Sequence, residues 1–82
     1  MKYALYEAVD NRDGKPMLWL ARQNSPGSER DVALFHPKTA PSRIKQRTAA
    51  APEGIVWDES GMWGAHLNTE TVKIIDEWEF QS

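Results

Sequence analysis

The stretch TVKIIDEWEF, residues 71–80, decides the fold of this chain. Its apolar and polar residues alternate with a period of two, and the apolar ones are β-branched or aromatic. The apolar positions are Val72, Ile74, Trp78 and Phe80, and the polar ones are Thr71, Lys73, Glu77 and Glu79. This pattern predicts a strand with one buried face. Because a lone strand cannot bury that face, the remaining chain must supply a sheet and a cover for it.

Asp76 breaks the alternation, because it has the parity of Ile74 and Trp78. One interpretation is a partly buried carboxylate with a functional role. The other is a β-bulge at Ile75 and Asp76, which turns the aspartate outward and Ile75 inward. We favour the bulge, since an isolated buried carboxylate is costly.

Two earlier strands are predicted at residues 2–9 and 16–23. Asp13 and Gly14 between them are typical of a hairpin turn. Residues 17–21 are apolar at both parities, which predicts a central strand covered on both faces.

The next two segments differ sharply in composition. Residues 24–31 contain no apolar side chain apart from Pro26, and we expect an exposed, mobile loop there. Residues 32–36 are predicted to form a short third strand, which Pro37 ends.

A single helix is predicted over residues 40–51. Thr39 is the expected N-cap, Pro41 suits the first turn, and Pro52 stops the helix. The stripe expected to pack on the sheet consists of Ala40, Ile44, Thr48 and Ala51.

The segment after the helix is predicted to form a hairpin. Residues 55–57 and 62–67 are its expected strands, with a turn at 58–61. The chain is therefore expected to form a single α+β domain over residues 1–82. Its antiparallel sheet has about five strands, in the order βββ-α-ββ or βββ-α-βββ, with the helix on one face.

Composition limits the classes of function. The 82 residues contain no cysteine, so disulfides and thiolate metal sites are excluded. No apolar run approaches the roughly 18 residues of a membrane span, and the first residues lack the apolar stretch of a signal peptide. We therefore expect a cytoplasmic protein that is complete from Met1 and has no membrane partner.

The sequence contains little evidence for a catalytic site or a metal-binding site. His36 and His66 are the only imidazoles, and their spacing matches no ligand pattern. The serines occupy turn-like, cap-like or terminal positions, and the scattered glycines form no phosphate loop. We expect no enzyme activity, no catalytic residue, no cofactor and no metal.

The charges are segregated along the chain. The basic residues Lys38, Arg43, Lys45 and Arg47 fall in a stretch, residues 32–52, that has no acid, whereas residues 53–82 carry seven acids against Lys73. One hypothesis is that the basic helix binds nucleic acid, assisted by Trp19 or Phe35. A net charge of −2 and a pI near 5.6 oppose it. The simpler interpretation is a solvated helix that pairs with the acidic C-terminal strands.

The favoured hypothesis is a protein-binding surface made of acidic and tryptophan side chains, because tryptophans anchor interfaces and carboxylates steer basic partners. Its predicted residues are Trp57, Asp58, Glu59, Trp63, Glu77 and Glu79. The expected partner is a protein with a basic surface, such as one that normally holds nucleic acid.

In size, composition and element order, though in no motif, the chain resembles the small accessory proteins of phages and mobile elements. Anti-CRISPR proteins are among them. The resemblance implies a viral inhibitor that blocks a host defence complex by stoichiometric contact.

Overall fold

The computed structural model describes residues 2–23 and 29–80, which contain one four-stranded antiparallel sheet. The strands are β1 (Lys2–Asp10), β2 (Lys15–Gln23), β3 (Glu29–Phe35) and β4 (Lys73–Glu79), and their order across the sheet is β3-β2-β1-β4. The helices are α1 (Pro41–Ala50) and the single-turn α2 (Trp63–His66), with short 3₁₀ turns at Pro52–Gly54 and Thr69–Thr71. The predicted α+β class is confirmed, but the described sheet has four strands rather than about five.

The first hairpin follows its prediction. Gly14 adopts a φ of +70°, which glycine tolerates without strain, and its N–H donates to the Asp10 carbonyl at 2.8 Å. β2 lies between β1 and β3 and is covered on both faces, as its apolar sequence predicts. The predicted loop at 24–31 is wrong for residues 29–31, which begin β3, and residues 24–28 lie outside the described residues.

The sheet separates two apolar clusters. On the helix face, the buried members are Tyr3, Leu5, Leu18, Leu20, Ala33, Ile44, Ile55 and Trp78. On the other face, which we call the open face, they are Ala8, Trp19, Ala21 and Val32. Among the described residues outside the strands, Ile44 of α1 and Ile55 belong to the first cluster, and Trp63 of α2 and Leu67 pack against the second.

α1 matches its predicted range but not its predicted cap. Ala40 is the N-cap and no side chain caps the helix, because Thr39 belongs to the preceding turn, where its N–H donates to the His36 carbonyl at 2.9 Å. Ile44 and Thr48 are the buried residues of the helix. Of the predicted stripe, Ala51 is half-buried and Ala40 is exposed.

The hairpin predicted after α1 is wrong. Asp58 forms a single antiparallel bridge with Val32, and the supposed second strand contains α2. One cause is a local turn: the Asp58 carboxylate accepts hydrogen bonds from the Ser60 N–H at 3.0 Å and hydroxyl at 2.6 Å. This Asx-type turn, followed by Gly61 with φ +79°, directs the chain into a helical turn.

β4 contains the predicted bulge. Leu5 pairs with Asp76 and the next residue, Tyr6, pairs with Ile74, so Ile75 is the extra residue. Ile75 packs against the helix-face cluster, as expected for the bulge, but Asp76 pairs with Leu5 of that face and is half-buried rather than turned outward.

The bulge also corrects the predicted parity of β4. Trp78 pairs with Tyr3 on the helix face, whereas Ile74 pairs with Tyr6 on the open face. Val72, on the other side of the bulge from Trp78, lines a hollow of the open face. The four apolar residues thus do not share one face, because the extra residue reverses the alternation between Ile74 and Asp76.

Candidate protein-binding surface

Cross-strand pairing arranges the open face in rows of side chains. One row contains Glu77, Ala4, Ala21 and Val32, and the next contains Ile74, Tyr6, Trp19 and Leu34. Directly paired residues lie on the same face, so these rows run from β4 across to β3. The first row has small residues at its centre, and the second has aromatic residues there and exposed aliphatic side chains at both ends.

α2 holds Trp63 over this face. The Trp63 carbonyl accepts from the Leu67 N–H at 3.0 Å, and Leu67 forms an isolated bridge with Asp10. The His66 carbonyl accepts from the Asn11 N–H at 2.7 Å, which ties the same turn to the end of the first hairpin. These bonds attach α2 to one end of the sheet, and half-buried Trp63 packs on the open-face cluster.

Two hollows share Trp63 as a wall. The tryptophan hollow, about 310 Å³, is lined by Trp57, Trp63, Trp19, Val32, Leu34, Val56, Asp58, Arg12 and His66. The apolar groove, about 220 Å³, is lined by Tyr6, Trp19, Ala21, Val32, Trp63, Leu67 and Val72. Trp19 forms the floor and is itself 1% exposed, with its indole N–H donating to the Ala8 carbonyl at 3.0 Å.

Large aliphatic side chains are exposed around these hollows. They are Leu34, Val56, Met62, Val72 and Ile74, with Val56 88% and Ile74 60% exposed. Leu34 and Ile74 end one row of the open face, Val56 and Val72 line the hollows, and Met62 directly precedes Trp63.

The charged groups of the tryptophan hollow have defined partners. The Arg12 guanidinium binds both carboxylate oxygens of buried Asp10, with Nε–Oδ1 at 3.0 Å and Nη2–Oδ2 at 2.6 Å. This pairing lowers the pKa of Asp10 and raises that of Arg12. Hydrogen bonds from Ser60 lower the pKa of Asp58. Asp58 is therefore ionised at neutral pH, and the Arg12 charge is matched by Asp10.

The structure brings together three of the six predicted binding residues, since Trp57, Asp58 and Trp63 line the same hollow. Glu59 instead extends toward Arg22, 3.3 Å from its Nη2, and is largely exposed. Glu77 and Glu79 are exposed on β4, at the far edge of the sheet from Asp58. The six residues therefore form two groups rather than one patch.

Trp57 has neighbours on the helix face as well. The Arg22 guanidinium lies 4.3 Å from the centroid of its ring, and Tyr3 stacks with it at 6.2 Å. Arg22 also binds Asp31 at 2.5 Å. The Trp57 side chain thus lies at the border between the two faces.

The cations of the alternative nucleic-acid site are exposed on or next to α1, and of the two aromatic residues expected to assist them only Phe35 lies on that side of the sheet. Trp19 is buried on the opposite face, and the Arg47 guanidinium lies 5.7 Å from the ring of half-buried Phe35. The Arg47 Nη2 also donates to the Gly54 carbonyl at 2.9 Å. Trp19 is therefore unavailable for base stacking, contrary to the prediction.

The expected pairing of the helix with the acidic strands is also wrong. Over residues 2–23 and 29–80, no salt bridge joins α1 to β4. The Lys45 ammonium instead lies 5.8 Å from the Trp78 ring centroid, and Arg43 and Lys38 are exposed to solvent.

In the described part of the chain, neither histidine belongs to a group of three or more side chains that could hold a metal ion. The His36 Nδ1 accepts from the Lys38 N–H at 3.1 Å, which closes the turn before α1. His66 lines the tryptophan hollow.

Sequence reasoning missed Arg12, Leu34, Val56 and Met62 as components of this surface. The alternation in β3 contains a signal for Leu34, because it shares the parity of Val32. Arg12 has no such signal, since its position depends on the turn that places it beside Asp10.

Comparisons with known proteins do not assign the chain to a family. No protein-family model matches the sequence, and neither the characterised proteins nor the solved structures provide a match. No helix among the described residues has the length and apolar character needed to cross a bilayer.

Proposed function

We propose that this protein acts by stoichiometric binding to another protein, through the open face of its sheet. The observation that carries the proposal is the set of exposed large aliphatic residues around Trp63. Exposed apolar side chains grouped around hollows are typical of interaction sites in proteins, and indole side chains are enriched among interface anchors. All five exposed aliphatics lie on this face, at its rim or on the turn that crosses it.

The charge on the same face selects the kind of partner. Glu77 pairs with Ala4 of the open face, and Glu79, two residues on, projects to the same side. Both are exposed and neither forms a salt bridge within the described residues. An apolar centre with a carboxylate edge complements a basic protein surface. The resemblance to phage accessory proteins makes a cytoplasmic host defence complex the first partner to test.

The test is capture followed by quantitative binding. The tagged protein is incubated with lysate of the cell in which it acts, and each captured protein is purified and titrated by calorimetry. We expect a fixed stoichiometry with one basic partner. The variant Ile74→Asp and the double variant Glu77→Lys/Glu79→Lys should each weaken that binding about tenfold or more.

The matched control reverses charge on the helix side. Lys38→Glu/Arg43→Glu changes the same number of exposed charges and should leave the affinity within about twofold, because these residues lie away from the open face. Circular dichroism and urea titration check that every variant is folded. A partner whose affinity is unchanged by both open-face variants would remove this face as the binding surface.

A further inference from the structure

We infer that the tryptophan hollow receives an arginine side chain of the bound partner, with Asp58 as its counter-ion and Trp63 as its stacking surface. The inference rests on the proposed function and assigns the chemical group that the partner contributes. The hollow lies beside the exposed aliphatics Leu34 and Val56, which also form part of its wall.

The negative charge of the hollow comes from Asp58. Ser60 donates both its N–H and its hydroxyl to Oδ1, and among the described residues no hydrogen bond is formed to Oδ2. No cation of the described chain forms a salt bridge with Asp58. Its second oxygen is thus available to a donor from outside, and a guanidinium is the donor that pairs best with a carboxylate.

Arg12 lines the same hollow and opposes a cationic guest, so its charge must be counted. Its Nε and Nη2 bind Asp10, whose side chain is only 7% exposed. This pair contributes one charge of each sign, so the carboxylate of Asp58 is the remaining acidic charge of the hollow. The balance favours a cation over an anion.

The walls suit the rest of an arginine side chain. Val32, Leu34 and Val56 offer aliphatic surface to its methylene groups, and Trp63 offers an indole to its guanidinium. The protein already contains this chemistry on its helix face, where the Arg22 guanidinium lies over Trp57 and binds the Asp31 carboxylate. Arg22 covers Trp57 from that side, and Trp63 lines both hollows, so we assign the stacking role to Trp63.

The test uses the protein alone and a small probe. N-acetyl-arginine methylamide is titrated at pH 8 into protein labelled with ¹⁵N at tryptophan, and the indole signal of Trp63 is assigned with Trp63→Phe. N-acetyl-citrulline methylamide, which has the same shape without the charge, is the comparison probe. We expect the arginine probe to shift the Trp63 signal saturably and to bind at least about threefold more tightly than the citrulline probe.

Asp58→Asn should weaken the arginine probe about threefold and abolish its advantage over citrulline. Asparagine can still accept from Ser60, so the turn into α2 is retained. Glu70→Gln, which removes an exposed carboxylate outside the hollow, should leave the affinity unchanged.

Equal binding of the two probes would overturn the inference, as would an unshifted Trp63 signal. A shift of that signal by inorganic phosphate in place of arginine would also overturn it, because the hollow would then be an anion site built on Arg12. Because no partner is used, failure here leaves the partner titration as an independent test of the proposed function.

Discussion

Thr48 joins α1 to the edge strand β4 by a buried hydrogen bond. Its hydroxyl accepts from the Trp78 indole N–H at 2.9 Å and donates to the Lys45 carbonyl at 2.6 Å. Thr48 is 3% exposed, so a lost acceptor cannot be replaced by water without opening the helix. The hydroxyl therefore fixes where the helix lies relative to β4.

We expect Thr48→Val to lower the free energy of unfolding by about 1–3 kcal/mol, because the shape is kept and the indole N–H loses its partner. Thr48→Ser keeps the hydroxyl and should cost less than Thr48→Val. Urea denaturation measures both. Trp78→Phe removes the donor, so Thr48→Val should lower the unfolding free energy by less in that background than in the wild type. An equal loss in the two backgrounds would show that the hydrogen bond is not its cause.

Asp10 makes the stability of the protein depend on pH in the acid range. Its hydrogen bonds with Arg12 lower its pKa below the ordinary value of 3.8, so the folded state binds the proton more weakly than the unfolded chain does. The stabilisation is therefore present above pH 3.8 and disappears as the pH falls through the lower folded pKa.

The matched variant is Asp10→Asn, which retains an acceptor for the Arg12 N–H. We expect the difference in unfolding free energy between wild type and Asp10→Asn to be constant above about pH 5 and to shrink below it. Chemical denaturation at a series of pH values measures this difference. A difference in unfolding free energy that is independent of pH would mean that the charge of the Asp10 carboxylate contributes nothing to stability.

At the scale of elements, the β4 bulge decides which side chains face the partner. The extra residue Ile75 lets Trp78 pack under α1 while Ile74 stays at the edge of the open face. The Asp76 carboxylate accepts from the Glu77 N–H at 2.8 Å, which satisfies a donor of this edge strand. A bulged edge with such a bond resists pairing with another chain, so we assign binding to the face and not to the strand edge.

The bulge can be tested with two isoleucines that are adjacent in sequence. Ile75 is half-buried against the helix-face cluster, whereas Ile74 is 60% exposed. We expect Ile75→Ala to cost about 1–2 kcal/mol of unfolding free energy and Ile74→Ala to cost less than about 0.5 kcal/mol. Strict alternation predicts the reverse order. Urea denaturation of both variants distinguishes the two registers.

The same elements show which features the sequence can predict. Alternation and turn residues are local signals, and they identified β1, β2, the helix range and the bulge at Asp76. The segment with Trp57 and Trp63 was misassigned as a hairpin, because its structure depends on the Asp58 turn and on contacts with β3 and the first hairpin. The hollow between those tryptophans is built from residues far apart in sequence, so no local pattern encodes it.

At the scale of the whole molecule, the sheet separates two kinds of charged surface. Arg43 on α1 and Lys38 in the turn before it are exposed on the helix side of the sheet. Glu77 and Glu79 lie on the open face with the exposed aliphatics. The segregation seen along the chain is thus partly kept in space, and each surface implies a different class of partner. Carboxylates suit a basic protein, and the helix cations suit a nucleic acid.

A basic protein partner and a nucleic-acid partner predict opposite effects for two double variants, one in the acidic residues of β4 and one in the basic residues of the helix side. We expect Glu77→Lys/Glu79→Lys to slow association with the protein partner about tenfold at low salt, with the effect shrinking as salt rises. Lys38→Ala/Arg43→Ala should leave that rate unchanged. Stopped-flow measurement over a salt series tests both.

In parallel, a labelled single-stranded DNA is titrated over the same salts. A steep salt dependence of DNA binding that is lost in Lys38→Ala/Arg43→Ala, together with unchanged protein association in the acidic variant, would assign function to the helix instead. Under the proposal the open face alone responds, since the exposed apolar residues lie there together with Glu77 and Glu79, which form no salt bridge within the described residues.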